Sequence, residues 1–127
     1  MRILSQSYIS LCQRYWRWLT AGLRPEPGDW VVPKDGPPDA LRLVMMPTES
    51  VAEEDVLVPK LERLLVQLAQ ECASFVLDYS AGEFACVAFD EHGRTLANVV
   101  APEPSSAVAQ ALVFIRAERA AHERESS

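Results

Sequence analysis

Asp90, Glu91 and His92 stand side by side and form the densest polar cluster in the chain. Two carboxylates beside an imidazole are the residue types for metal ligation or proton transfer near neutral pH. Gly93 follows at once, and Asp and Gly so placed are equally the composition of a hairpin tip. A solvated turn is the simpler reading. His122, the second of two histidines, lies in a charged tail, so His-based catalysis has little material. Cys12, Cys72 and Cys86 are too scattered for a metal knuckle or a redox pair. Each sits among apolar residues, as buried thiols in a reducing cytoplasm do. Cys86 as a nucleophile would need a neighbouring base and a lowered pKa, and no His is placed beside it. The Gly-rich phosphate loop, the Gly-x-Ser-x-Gly elbow and the His-Glu-x-x-His helix are missing from the sequence. We assign no catalytic residue, no metal and no cofactor at this level, and expect a protein that is not an enzyme.

Binding chemistry has better candidates. Tyr15-Trp16-Arg17-Trp18 resembles a stacking platform for bases. At 100° per residue, however, Arg17 falls opposite Tyr15, with Trp16 and Trp18 on the two flanks of the apolar face. Packing against a core or a second subunit fits that placement better, and a flanking Trp is also a typical interface anchor. Trp30 is a third aromatic anchor. Glu49, Glu53, Glu54 and Asp55 form an acidic run. Such runs are usually a solvated face, the rival reading being phosphate mimicry toward a basic groove. Arg94 completes the candidates, as a cation for an anionic ligand.

The elements that must position these residues follow from periodicity. Ser5 to Leu23 reads as one helix, with Tyr8, Ile9, Leu11, Cys12, Tyr15, Trp16, Trp18, Leu19 and Leu23 on one side and Gly22 as its stop. That side is wider than a single core contact requires, which suggests a second covering or a partner chain. Residues 24–39 are a Pro/Gly-rich connector enclosing a strand at Gly28–Val32. Leu41–Met46 is a second strand closed by Pro47, and Lys34-Asp35-Gly36 is a candidate turn between the two. Ser50 and Glu53 have capping-box spacing, so a short helical turn is expected within Thr48–Asp55. Pro59 opens a helix whose Leu61, Leu64, Leu65, Leu68 and Cys72 make one face. Phe75–Ser80, Glu83–Asp90 and Leu96–Ala101 are strands turning at Ala81-Gly82 and at residues 91–94. The middle strand is apolar on both alternations and so should be covered on both faces. A last helix runs from about Pro104 to Glu118 on Val108, Ala111, Leu112 and Ile115, and residues 122–127 should fray. The expectation is one α+β domain over residues 1–127. Its small antiparallel sheet has about five strands on two or three helices, in the order α-β-β-α-β-β-β-α.

The totals bound the partners. A net charge of −6 and a pI of 4.9 work against general DNA or RNA binding. They permit an acidic decoy for a basic groove. Ser5, Gln6 and Ser7 break the apolar run after Arg2, so no secretion signal is read. No run approaches a membrane span. A cytoplasmic location is expected.

Three motifs stand out together: the Gly28-Asp29-Trp30-Val31-Val32 strand, the Pro59-Lys60-Leu61-Glu62-Arg63-Leu64-Leu65 helix start and the Glu103-Pro104 to Ala111-Leu112 helix start. In this layout the chain resembles small uncharacterised bacteriophage and prophage proteins. The group often has a Thr cap where this chain has Glu103. The resemblance carries no catalytic residue, only a prior: such proteins often interfere with host systems. The leading expectation is therefore a non-enzymatic inhibitor of a host defence component. The alternative is an oligomeric sponge for a nucleotide-type signal, assembled through the N-terminal aromatic helix. A structural or regulatory phage accessory protein is a further alternative.

Overall fold

The computed structural model describes residues 4–21, 23–46 and 51–126. The expectations resting on Gly22, Pro47, Thr48, Glu49 and Ser50 lie outside the described residues. The fold is α+β, and the chain gathers into two compact units, residues 1–60 and 61–127.

In the first unit the sequence suggests one long helix, and two pieces form instead: α1 (Gln6–Arg14) and α2 (Trp16–Leu19). Ser5 caps α1, its hydroxyl accepting the Tyr8 N–H at 3.0 Å. Tyr15 leaves helical geometry at φ −113°, ψ 27°. Three aromatic residues in four positions, Tyr15, Trp16 and Trp18, weaken helix propensity at that point. The break re-aims Trp16 to Leu19, and Leu19 is buried.

Three strands follow: β1 (Trp30–Pro33), β2 (Arg42–Leu43) and β3 (Asp55–Val58), in the antiparallel order β2-β1-β3. The β1–β2 hairpin is present, but β2 is only two residues long and its loop spans residues 34–41. β3 replaces the end of the expected helical turn. Its Val56-Leu57-Val58 run is too short for periodicity to separate strand from helix. Pairing with β1 decides it: Trp30 opposes Val58, Val31 opposes Leu57 and Val32 opposes Val56. Val31, Leu57 and Val44 make one small core, with Leu23 and Val51 against it. α1 packs on β1 and β3, burying Tyr8, Ile9 and Cys12. The broad apolar side of the N-terminal segment is thus largely used within its own unit.

The Gly28-Asp29-Trp30 motif is structural. Gly28 adopts φ 95°, a left-handed conformation that glycine tolerates. Asp29 has no exposed surface, and its two carboxylate oxygens accept the backbone N–H groups of Glu26 (2.9 Å) and Lys60 (3.0 Å). Its own N–H and C=O engage Glu26 and Val44. The Tyr8 hydroxyl donates to the Pro59 carbonyl at 2.6 Å.

The second unit is α3 (Leu61–Glu71), the strands β4 (Ser74–Ser80), β5 (Glu83–Phe89) and β6 (Thr95–Ala101), and α4 (Pro104–Ser126). The five-strand sheet of the sequence reading is therefore two separate three-stranded sheets, the second ordered β4-β5-β6 and antiparallel throughout. Ala81 and Gly82, both at positive φ, make the first turn as expected. Cys86, Ala88, Ala97 and Ala101 are buried, and Ala107 and Ala111 of α4 are buried too. Small residues on both sides let α4 lie close against β5 and β6. Leu64 and Leu68 of α3 and Val108, Leu112 and Ile115 of α4 complete the core, as their spacing predicts. Val87 and Phe89 alternate with the buried Cys86 and Ala88. They face the other side of the sheet, not the helices, and stay part-exposed. α4 extends to Ser126, beyond the expected fraying point. Residues 122–125 are exposed, so backbone hydrogen bonding carries these turns without an apolar face.

At the end of α3 a charge conflict is resolved. Glu71 is the last helical residue, where a carboxylate opposes the helix dipole. The Arg116 guanidinium donates to it at 2.6 Å, and Arg119 bonds both its carboxylate and its backbone carbonyl. Two cations from α4 thus offset the unfavourable placement and tie the two helices.

Candidate functional site

The first unit brings five of the eight candidate site residues to one end of the β1–β3 ladder. Gln13, late in α1, donates its side-chain amide to the Pro33 carbonyl (2.7 Å) and the Gly36 carbonyl (3.0 Å). That clamp fixes the 33–36 loop against the helix. A Cβ on Gly36 would stand 2.8 Å from Pro33 Cβ, so the loop is closed too tightly for a side chain there. Lys34 emerges from the clamped loop with its ammonium 4.0 Å from the Trp16 ring centroid, a cation–π contact. The Arg17 guanidinium lies 5.7 Å from the same ring, and Arg14 lies 5.3 Å from the Tyr15 ring. The Lys34 N–H donates to the Glu54 carbonyl at 2.9 Å, and Asp55 opposes Pro33 across the ladder.

Trp16, Arg17 and the Glu53-Glu54-Asp55 turn are therefore neighbours around Lys34. Trp16 is half-buried, Arg17, Glu53 and Glu54 are exposed, and Asp55 is partly covered. A rigid aromatic side chain within a charged rim of both signs is the composition of a protein-contact surface. Lys34 and Gln13 went unrecognised in the sequence. Lys34 is visible there only as part of a turn, and Gln13 as a polar position on a helix.

Trp18 and Trp30 are each half-buried on α2 and β1. Arg94 belongs to the second unit, exposed on the turn between β5 and β6. That turn is built by Asp90, whose carboxylate accepts the N–H groups of Arg94 (2.9 Å) and His92 (2.8 Å). These bonds, the Arg94 N–H foremost, hold the Asp90 carboxyl below its ordinary value. Gly93 takes φ 78° to close the turn. The Asp90-Glu91-His92 cluster is thus a hairpin tip. Among the described residues no three His, Cys, Asp or Glu side chains are grouped to hold a metal ion.

A cleft of about 340 Å³ opens beside the end of α3, lined by Glu71, Cys72, Asp90, Glu91 and Arg119 among others. Its cation is already bonded to Glu71, so three carboxylates dominate and a phosphate group would be repelled there. The Cys72 thiol donates to the Leu68 carbonyl at 3.2 Å, and burial pushes it above the ordinary thiol range. Burial raises Cys12 to about 12 and Cys86 to about 11. Thiols so shifted are poor nucleophiles at neutral pH.

Among the described residues no helix is long and apolar enough to cross a membrane. No protein-family model, curated protein or solved structure matches the chain.

Proposed function

We propose that this chain is a non-enzymatic binding protein that engages a host protein through the Trp16–Lys34 surface and the adjoining Glu53-Glu54-Asp55 turn. The observation that carries the reading is the Lys34 contact itself, which joins the aromatic anchor and the acidic turn in one preorganised patch. Preorganisation lowers the ordering cost of association. The acidic turn suits a partner with a basic groove, such as a component that handles nucleic acid. The resemblance of the Gly-Asp-Trp strand and the two helix starts to phage proteins supports a role in inhibiting host defence, in the cytoplasm of a bacterial host.

A second reading, sequestration of a nucleotide-type signal, is favoured by Arg14, Arg17 and Lys34 gathered on the Tyr15 and Trp16 rings. Cations on half-buried rings that keep part of their surface open are the elements of base and phosphate recognition.

Site-specific photo-crosslinking in bacterial cells separates these readings. A photoreactive phenylalanine analogue at position 53 should give a discrete protein adduct. Trp16→Ala, or Glu54→Lys with Asp55→Lys, should abolish it, and the same probe at His122 should give none. The absence of a discrete adduct at position 53, or an adduct indifferent to Trp16→Ala, would overturn the protein-binding reading. Ultraviolet absorbance of the purified protein in excess of its aromatic content would support the ligand reading.

A further inference from the structure

The second sheet has two edges, β4 and β6, and they differ. Among the described residues neither edge has a backbone partner on its outer side. An unpaired edge is a template for another chain, and native sheets guard such edges with charge or proline. β4 carries the exposed Asp78 one residue past its centre. β6 reads Thr95-Leu-Ala-Asn-Val-Val-Ala101, with no charge and no proline over seven residues. A strand so unguarded is kept from random aggregation most simply by a defined partner.

The flank below β6 is apolar as well. α4 turns Arg116 and Arg119 toward Glu71 of α3, which places Leu112 on the α3 side. Phe114 lies about 160° around the helix from Leu112 at 100° per residue. α4 packs under β5 and β6 while α3 contacts β4, so the flank away from α3 is the β6 side. Phe114 is 51% exposed there, while Val100, which alternates with the buried Ala101, is 55% exposed on the outer face of β6.

We propose that β6 is a homodimer interface: two copies pair β6 with β6 antiparallel about a two-fold axis at Asn98, with Phe114 of each α4 packing beneath. A two-fold axis at Asn98 makes the contact isologous, each residue meeting its mirror position about Asn98 in the other copy. Leu96 opposes Val100, Ala97 opposes Val99, and Asn98 opposes its own copy, so no like charges meet. The same operation on β4, about its central Leu77, sets each Asp78 opposite Val76 and leaves the two Asp78 side chains as diagonal neighbours on one face. Pairing β4 with β6 would leave open edges and build fibres, and Asp78 disfavours that too.

Area also selects the edge. The outer sheet face measures about 14 by 24 Å from strand spacing and rise, burying only about 700 Å² in total between two copies. The edge with its helix layer measures about 24 by 20 Å, or about 1,000 Å² in total, the lower bound of a specific interface. The resulting six-stranded sheet would be continuous, assembled without the N-terminal helix.

The test combines mass in solution with a cross-link, both in a Cys72→Ser background. Light scattering behind a sizing column should give near twice the 14.1 kDa chain mass at about 100 μM. Opposed residues on paired strands have Cα atoms about 5 Å apart, within disulfide reach. Asn98→Cys should therefore form a covalent dimer under mild oxidation, and Asp78→Cys should not. Val100→Lys with Phe114→Lys should give a monomer of unchanged circular dichroism. If that variant fails to fold, Asn98→Cys decides alone. A monomeric parent protein at 100 μM, or a dimer in which Asn98→Cys stays uncrosslinked, overturns the proposal.

Discussion

The Asp29 carboxylate is fully buried and accepts the backbone N–H of Lys60, thirty-one residues away, at 3.0 Å. Its second oxygen takes the Glu26 N–H, so one side chain closes the 26–29 turn and holds the chain just after β3. Removing it leaves two part-buried backbone donors unmatched. Asp29→Ala should cost about 3 kcal/mol, from two hydrogen bonds to a charged group. Tyr8→Phe, which loses the bond to the Pro59 carbonyl, should cost about 1 kcal/mol. Urea titration followed by tryptophan fluorescence measures both. Loss of less than half a kcal/mol for Asp29→Ala would show that the carboxylate is not a structural tie.

Glu71 predicts an asymmetric response. Glu71→Gln keeps a hydrogen-bonding side chain, removes the conflict with the helix dipole and weakens the two arginine bonds, so its net effect should stay within about 1 kcal/mol. Arg116→Ala leaves a part-buried carboxylate at a helix C-terminus with less compensation, and it should destabilise more than Glu71→Gln. Equal losses in chemical denaturation would contradict this account.

Gln67 lies in the buried stripe of α3 at 7% exposure, and its Nε2 has no hydrogen-bond partner among the described residues. A buried unmatched donor costs about 1 to 3 kcal/mol. Gln67→Leu, nearly isosteric, should therefore raise stability by about 1 kcal/mol and shift the urea midpoint upward. A lowered midpoint would mean that the amide is held by a group such as bound water.

The cysteines should separate by reactivity. Cys12 and Cys86 are buried, and burial raises their thiols to about 12 and about 11. Only Cys72 should react with iodoacetamide in the folded state, and more slowly than a free thiol. Its rate should climb as pH rises past the ordinary thiol range, since its folded pKa is raised and the thiolate is the nucleophile. All three should label in urea. Peptide mapping by mass spectrometry reads the result, and rapid native labelling of Cys12 would contradict the packing of α1.

Residues alone determined the α+β class, α3, the 74–101 meander and the start of α4. Leu61, Leu64, Leu65 and Leu68, or Ala81-Gly82 between two alternating runs, are local signals whose periods and turn chemistry act within a few residues. Tertiary pairing decided the rest. β3 exists because Val56-Leu57-Val58 finds Val31 and Val32 across the ladder, more than twenty residues away. Two sheets form instead of one because, among the described residues, β1 pairs on its two sides with β2 and β3. Asp29 looks like any loop carboxylate until the 60 position closes on it. The surface at Trp16 was half legible: its aromatic and acidic residues stand out by type. Lys34, which brings them together, is an ordinary turn lysine until Gln13 clamps its loop. Long-range hydrogen bonds and ring contacts leave no periodicity in a sequence, because they join residues whose separation along the chain is arbitrary.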